Sequence, residues 1–334
     1  MKIPVFVLFG PTASGKTALL EKLFGFRGKE PCRVEIISAD SMQVYRNMDI
    51  GTAKPSLEER ARIPHHLIDI RNPDEQFNAG EFVRLAGEAC RTAADRGALP
   101  VVSGGTGFYL KNLVHGLSEA PPSDAGIRGE LREELKARGA ASLMEELAKT
   151  DPASAARIHI NDVYRLLRAL EVCRLAGRPL SSFSSAWSAG EKGAPPDQPF
   201  RFLLLGLRRP REELYDRINA RTAAMFRAGL ADEARRLYEA GYTPVDPGLR
   251  AIGYREFFVK DPDVREGDAA WRLSEDLAGV EALVAQNSRR YAKRQITFFA
   301  SIPGVTWVDC GEDIAGIHRL LEEFLGAGKG NAQV

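Results

Sequence analysis

The chain is poor in cysteine, and that poverty excludes two classes at once. Its four cysteines, Cys32, Cys90, Cys173 and Cys310, are scattered over 334 residues, so neither a disulfide framework nor the close pairing of a zinc site is expected, only thiols in a reducing compartment. Long apolar runs are missing too. Nothing approaches the ~18 consecutive apolar residues of a membrane span, and Met1-Lys2 leads straight into a short run that the following motif uses as its strand, so no secretory leader is expected. Charge of one sign is not in excess: 46 Lys and Arg against 45 Asp and Glu leave +1, and any basic surface must therefore be local. No internal repeat is visible. His65-His66 reads as a pair of polar loop residues without metal spacing around it. With 44% apolar and 27% charged residues, what remains is an ordinary cytoplasmic enzyme, long enough to divide into two lobes; a monomer is expected, though composition does not fix it.

The most informative segment present is Gly10-Pro11-Thr12-Ala13-Ser14-Gly15-Lys16-Thr17. It follows the apolar run Ile3-Pro4-Val5-Phe6-Val7-Leu8-Phe9 and precedes Ala18-Leu19-Leu20-Glu21-Lys22-Leu23-Phe24, apolar at helical spacing. Strand, glycine-rich loop and helix, in that order, make a phosphate loop. Its glycines let backbone N–H groups curl around an anion, and the helix N-terminus adds partial positive charge. Lys16 supplies a point charge and Thr17 a hydroxyl for Mg²⁺. A di- or triphosphate is the expected ligand.

Further short apolar runs at Val34-Glu35-Ile36-Ile37-Ser38 and Leu99-Pro100-Val101-Val102-Ser103, with helical spacing over residues 79–96, predict an α/β core. A parallel sheet flanked by helices, like that of phosphate-loop nucleotide hydrolases, binds ligands beyond the carboxyl ends of its strands. The character changes near Ser118. Residues 119–199 read as a mostly helical insertion, with helix entries at Asp151-Pro152 and Asn161-Asp162 and a Ser, Gly and Pro-rich linker over residues 181–199. The core is therefore expected over residues 1–118 and 200–312, with further strands in Phe200-Arg201-Phe202-Leu203-Leu204-Leu205-Gly206 and Val305-Thr306-Trp307-Val308. Residues 313–334 are expected to hold a last helix and a frayed tail.

Several strand ends carry chemistry. Asp40 and Ser41 follow the second run, where a carboxylate beside a phosphate loop serves either as a magnesium ligand or as a general base. Gly104-Gly105-Thr106-Gly107 follows the third, and its glycines permit close backbone approach while Thr106 offers a hydroxyl. Arg217 and Arg221, four apart, share a helix face that suits a phosphate leaving group or plain solvent. Three clusters interleave basic residues with tyrosine, the mixture that grips RNA backbone and stacks on unpaired bases. They are Tyr164-Arg165-Leu166-Leu167-Arg168, Arg250-Ala251-Ile252-Gly253-Tyr254-Arg255-Glu256 and Arg289-Arg290-Tyr291-Ala292-Lys293-Arg294-Gln295. Each alone is equally a solvated helix face.

Taken together, the phosphate loop, Ala39-Asp40-Ser41-Met42-Gln43-Val44-Tyr45, Met48-Asp49-Ile50-Gly51-Thr52-Ala53-Lys54-Pro55, Gly104-Gly105-Thr106-Gly107-Phe108-Tyr109, Gly253-Tyr254-Arg255-Glu256 and Lys293-Arg294-Gln295-Ile296-Thr297 closely resemble the bacterial tRNA dimethylallyltransferases, in that family's order. The chain departs at Asn47, where the family has glycine, at Phe108, where leucine or methionine is usual, and at Ser103, where a larger apolar residue is familiar. The resemblance implies that the loop from Gly10 to Thr17 holds dimethylallyl diphosphate, and that the prenyl group passes to N6 of the adenine 3′ to the anticodon, position 37, with Mg²⁺ assisting. It implies Asp40 as general base on N6, Thr106 at the bridging oxygen and Arg221 on the leaving group. It further implies that Asp40, Ser41, Met42, Gln43, Thr106, Arg128, Tyr164, Arg165, Leu166, Leu167, Arg168, Arg250, Ala251, Ile252, Gly253, Tyr254 and Arg255 face the tRNA anticodon stem-loop. Rival readings are a prenyltransferase acting on a free nucleotide, a phosphate-loop small-molecule kinase, and a non-catalytic RNA-binding module.

Overall fold

The computed structural model describes residues 2–24, 33–183, 198–261, 271–309 and 314–327. The chain forms two compact units, one of residues Met1–Val114 with Pro196–Val334 and one of residues His115–Pro195.

The first unit opens with β1 (Ile3–Phe9), α1 (Lys16–Leu23), β2 (Val34–Ser38), α2 (Leu57–Arg62), β3 (His65–His66), α3 (Ala79–Asp95), β4 (Leu99–Gly104) and α4 (Gly107–His115). The second unit, which takes in the last residue of α4, contributes α5 (Ala125–Thr150), α6 (Pro152–Ala155) and α7 (Val163–Ala176). The first unit then resumes with β5 (Phe200–Arg208), α8 (Arg211–Arg227), α9 (Leu230–Glu239), β6 (Phe258–Lys260), β7 (Trp271–Leu273), α10 (Leu277–Phe299), β8 (Thr306–Asp309) and α11 (Ile314–Gly326).

Six strands make one parallel sheet in the order β3-β2-β4-β1-β5-β8. β1 is central, and its unbroken apolar sequence follows from that place. Side chains alternate across a strand, and both faces here are covered. Val5, Val7 and Phe9 pack with Phe82, Ala86 and Leu110 of α3 and α4. Phe6 and Leu8 pack on the other face with Leu19, Leu20 and Leu23 of α1 and with Ile317 and Leu321 of α11. From β1 the chain crosses first to β2 and β4 on one side and later to β5 and β8 on the other, which makes the end of β1 a topological switch point. A third core joins α9, the β6–β7 hairpin and the start of α10 around Leu237, Phe257, Phe258 and Val280.

His65-His66 departs from the loop expected for it. The pair forms a short edge strand beside β2, and His66 Nε2 lies 2.8 Å from Oε2 of Glu35, a fully buried carboxylate. An acid buried on a sheet needs such a polar partner, and the histidine supplies it.

The helical unit is built around Leu131, Leu143, Leu147, Leu166, Leu167 and Leu170. Asp151 caps α6 by accepting from Ser154 N at 3.0 Å, with Pro152 in the first turn, and Asp162 caps α7 by accepting from Arg165 N at 3.2 Å. Of the linker, Leu180–Ser182 forms a single 3₁₀ turn and residues 184–197 lie outside the described residues. Residues 328–334 of the tail, residue 313, Cys32 and Cys310 also lie outside them. Cys90 is a buried free thiol whose pKa burial pushes up to about 12, and Cys173 is free and half-buried. Among the described residues no helix is long and apolar enough to cross a membrane.

Candidate active site

The phosphate loop leaves β1 at the switch point and enters α1, and the residues around it arrive from five other segments. A cavity of about 830 Å³ is lined by Thr12, Lys16 and Thr17 of the loop, by Asp40, Ser41 and Gln43 after β2, and by Gly105 after β4. Arg217 and Arg221 of α8, Arg250 and Arg255, and Tyr291 and Gln295 of α10 complete its wall. A smaller cavity of about 300 Å³ shares Lys16, Thr17, Asp40 and Gln43 and continues along Ile36, Ser38, Lys54 and His65. Both lie within the first unit.

Lys16 folds back on its own loop, donating from Nζ to the carbonyls of Gly10 at 2.9 Å and Pro11 at 3.0 Å. Burial pushes its pKa down to about 8, Arg221 lowers it further and Asp40 opposes both. A lysine destabilised in this way is stabilised by an arriving anion. Three arginines grip the loop from behind. Arg209 Nε donates to Ser14 O at 2.9 Å, Arg217 Nε to Ala13 O at 2.9 Å, and Arg221 Nη1 to Thr12 Oγ1 at 3.2 Å. Arg221 is itself held down in pKa by burial, with Asp40 acting the other way. Arg217 and Arg221 thus turn their shared helix face toward the loop and the cavity.

Asp40 is oriented by its own turn, its Oδ1 accepting from Met42 N at 2.9 Å. Next to it, Thr106 Oγ1 accepts from Ser41 N at 3.0 Å, while Thr106 N donates to Ala39 O at 3.1 Å. The β2 and β4 loops therefore cross-link directly, and Asp40 and Thr106 become neighbours. Gln43 is tied to β2 by Ser38 Oγ, which donates to its Oε1 at 2.9 Å.

The segment Met48-Asp49-Ile50-Gly51 is held by a residue that sequence reasoning did not single out. Glu233 of α9, 3% exposed, accepts from the backbone N–H groups of Asp49, Ile50 and Gly51 at 3.0–3.1 Å. Asn47, standing where the resemblance has glycine, adopts φ 63°; asparagine tolerates that left-handed region better than other side chains. Lys54 is buried between Asp49 at 2.5 Å and Asp69 at 2.6 Å.

Several residues expected to face RNA do something else. The side chains of Leu166 and Leu167 lie in the core of the helical unit, Ala251 is buried, and Tyr254 is fully buried with its hydroxyl on Glu233. The apolar or hydrogen-bonded surroundings of Leu166, Leu167 and Tyr254 leave no side-chain surface for a partner, whereas Ala251 borders the larger cavity. Arg168 and Arg128 both pair with the buried carboxylate of Glu171, at 2.9 and 3.0 Å, and Arg168 also donates to Pro121 O. Burial of Glu171 raises its pKa and the groups donating to it lower it, with a net lowering. Tyr164 is 71% exposed, with the Arg128 guanidinium 4.7 Å from its ring centre, and the Arg165 side chain is 73% exposed. Ile252, Gly253, Arg250 and Arg255 stand on one segment, in which Arg255 pairs with Glu256 at 3.0 Å and Arg250 donates to the carbonyls of Pro244 and Val245.

The family follows from comparison with known proteins. Residues 43–301 match the model of the family described as IPP transferase. The chain belongs to the IPP transferase family. It is 43% identical to a tRNA dimethylallyltransferase of Geobacter sulfurreducens over 97% of this chain and 98% of the relative. It is 42% identical to tRNA dimethylallyltransferase 1 of Syntrophotalea carbinolica over 96% of each. Among solved structures it resembles the full-length tRNA isopentenylpyrophosphate transferase of Bacillus halodurans at 35% identity and TM-score 0.63, covering 98% of both chains. A eukaryotic dimethylallyltransferase described as acting on tRNA aligns with TM-score 0.76 at 26% identity, over 97% of this chain and 80% of that one.

Proposed function

We propose that this member of the IPP transferase family is a cytoplasmic tRNA dimethylallyltransferase that moves the dimethylallyl group of dimethylallyl diphosphate to N6 of adenine 37, next to the anticodon. The observation that carries the reading is the convergence of Lys16, Asp40 and Arg221 on the lining of one cavity, with Thr106 bonded to its wall at Ser41 N, each from a different strand end or helix.

The phosphate loop takes the diphosphate through its backbone N–H groups and Lys16, whose buried ammonium gains most from a bound anion. Arg217 and Arg221 stand behind the loop, so charge that builds on the leaving diphosphate meets cations already in place. The Thr106 hydroxyl faces the oxygen that bridges to the prenyl carbon. N6 attacks that carbon, the carbon–oxygen bond breaks, diphosphate departs with the bonding pair, and Asp40 accepts the proton shed by N6. An exocyclic amine is a weak nucleophile, so a carboxylate held by its own Asx turn is well suited to that role. Mg²⁺ fits the oxygen chemistry here: the Thr17 hydroxyl lies on the cavity with the Asp40 carboxylate nearby, a hard-donor set to which phosphate oxygens would add. Thr17 would hold the ion, which would neutralise diphosphate charge.

Adenine within an anticodon loop must leave its stack to reach such a cavity. Arg250 and Arg255 on its rim, and separately Tyr164 and Arg165 on the helical unit, are the exposed groups read as RNA contacts. The chain is read as a monomer. Incubation with radiolabelled dimethylallyl diphosphate and a tRNA transcript, without ATP, should label adenine 37. Label on free AMP or ATP instead would favour the free-nucleotide reading, and a requirement for ATP with release of ADP would favour the kinase.

A further inference from the structure

α10 presents two polar side chains one helical turn apart, Tyr291 and Gln295, to which the chemistry above gives no part. Gln295 is 5% exposed, and both ends of its amide are used. Its Oε1 accepts from Thr12 N at 2.9 Å, and its Nε2 donates to Gly105 O at 2.7 Å. Thr12 belongs to the phosphate loop after β1, whereas Gly105 immediately precedes Thr106 after β4. Tyr291, one turn earlier on the same helix, lines the same cavity. Space at the junction is fully taken: a Cβ on residue 105 would stand 2.6 Å from Gln295 Nε2.

We propose that Gln295 is a positioning residue for prenyl transfer, holding the phosphate loop in register with Thr106. The loop grips one end of the donor and Thr106 faces the bond that breaks, so the amide sets the distance between diphosphate and bridging oxygen. A primary amide offers an acceptor and a donor on one rigid plane. Methionine of similar length offers neither, and glutamate keeps the acceptor while losing the donor. Without the amide, a half-buried N–H on one loop and a buried carbonyl on the other lose their partner, and the two loops are free to shift against each other. The Thr12 N–H is also committed to Gln295, so the phosphate cradle is made by the remaining N–H groups of the loop. This inference rests on dimethylallyl diphosphate being the donor.

The test is single-turnover transfer to tRNA at saturating donor, with pyrophosphate and tRNA dissociation constants measured on the same proteins. Gln295→Met should lower the transfer rate by about 10²-fold, the scale of a misplacement of roughly 1 Å between reacting groups. Gln295→Glu should fall between Met and wild type, and both dissociation constants should stay within about threefold, because the loss is in the transition state and not in ground-state binding. Gly105→Ala perturbs the same junction from the other side. The double variant Gly105→Ala with Gln295→Met should therefore be no slower than the slower single variant. A wild-type rate in Gln295→Met, a loss recovered by raising donor concentration, or losses that multiply in the double variant would each overturn the proposal. If Gln295→Met fails to fold, Gln295→Glu and Gly105→Ala decide it alone. Wild-type protein that cannot use dimethylallyl diphosphate would instead strike down the donor assignment.

Discussion

The Tyr254 hydroxyl donates to Glu233 Oε1 at 2.6 Å, and the two side chains together receive the Gly51 N–H at 3.1 Å each. A phenol and a carboxylate from distant segments thus close around the backbone that follows Asp40, and the loop takes its shape from groups outside itself. The arrangement also explains why residue 51 has no side chain: a Cβ there would lie 2.5 Å from the Tyr254 ring.

Gly51→Ala should therefore destabilise the fold by about 1–3 kcal/mol, the usual cost of overpacking a filled site. Denaturant midpoints would measure this. Tyr254→Phe removes only the hydroxyl and should cost about 1–2 kcal/mol by leaving Glu233 one donor short, with RNA affinity unchanged. A clear loss of tRNA affinity in folded Tyr254→Phe would return this tyrosine to the RNA surface.

Asp40→Asn preserves size and the acceptor for Met42 N but cannot take a proton. Transfer should fall by roughly 10²- to 10⁴-fold with both substrates still bound, the range for loss of a positioned general base. Substantial rescue by added Mg²⁺ would make Asp40 a metal ligand first.

Lys16→Ala deletes the buried cation of the phosphate loop. Prenyl transfer and pyrophosphate binding should be abolished while tRNA affinity stays near that of wild type, as measured by filter binding, because the two ligands use different surfaces. Equal loss of both would argue against separate sites.

Arg165 and Arg168 should part company. Arg165→Gln should weaken tRNA binding and lower the slope of its salt dependence by about one, as expected for one lost phosphate contact, without a change in thermal stability. Arg168→Gln removes a partner of buried Glu171 and should cost about 1–3 kcal/mol of stability. Calorimetry beside a salt titration separates the two.

What could be read from the sequence was what is decided locally. β1, the phosphate loop and α1 are adjacent in the chain, and their periodicities and glycines specify them without help. Asp151 and Asp162 announced their helices because capping is a short-range event. The back of the site was not legible in the same way. Gln295 meets Thr12 across 283 residues and Glu233 meets Asp49 across 184, and no local pattern records such a meeting. Tyr164 to Arg168 misled for the opposite reason. A basic and aromatic string looks uniform on paper, whereas helix geometry turns Leu166 and Leu167 into a core, spends Arg168 on Glu171, and leaves Tyr164 and Arg165 outside.

The place of β1 also bears on how the chain comes together during synthesis. One of its two neighbours, β4, begins at Leu99, but the other does not begin until Phe200, after the whole helical unit. Until then β1 keeps an open edge rich in valine and phenylalanine, the kind of surface that mispairs with other chains. The helical unit is a local, low-contact-order structure that can form on its own timescale, whereas closing β1 against β5 needs a loop of nearly two hundred residues. Ribosome-bound chains halted before residue 200 should therefore be the stage most dependent on chaperones.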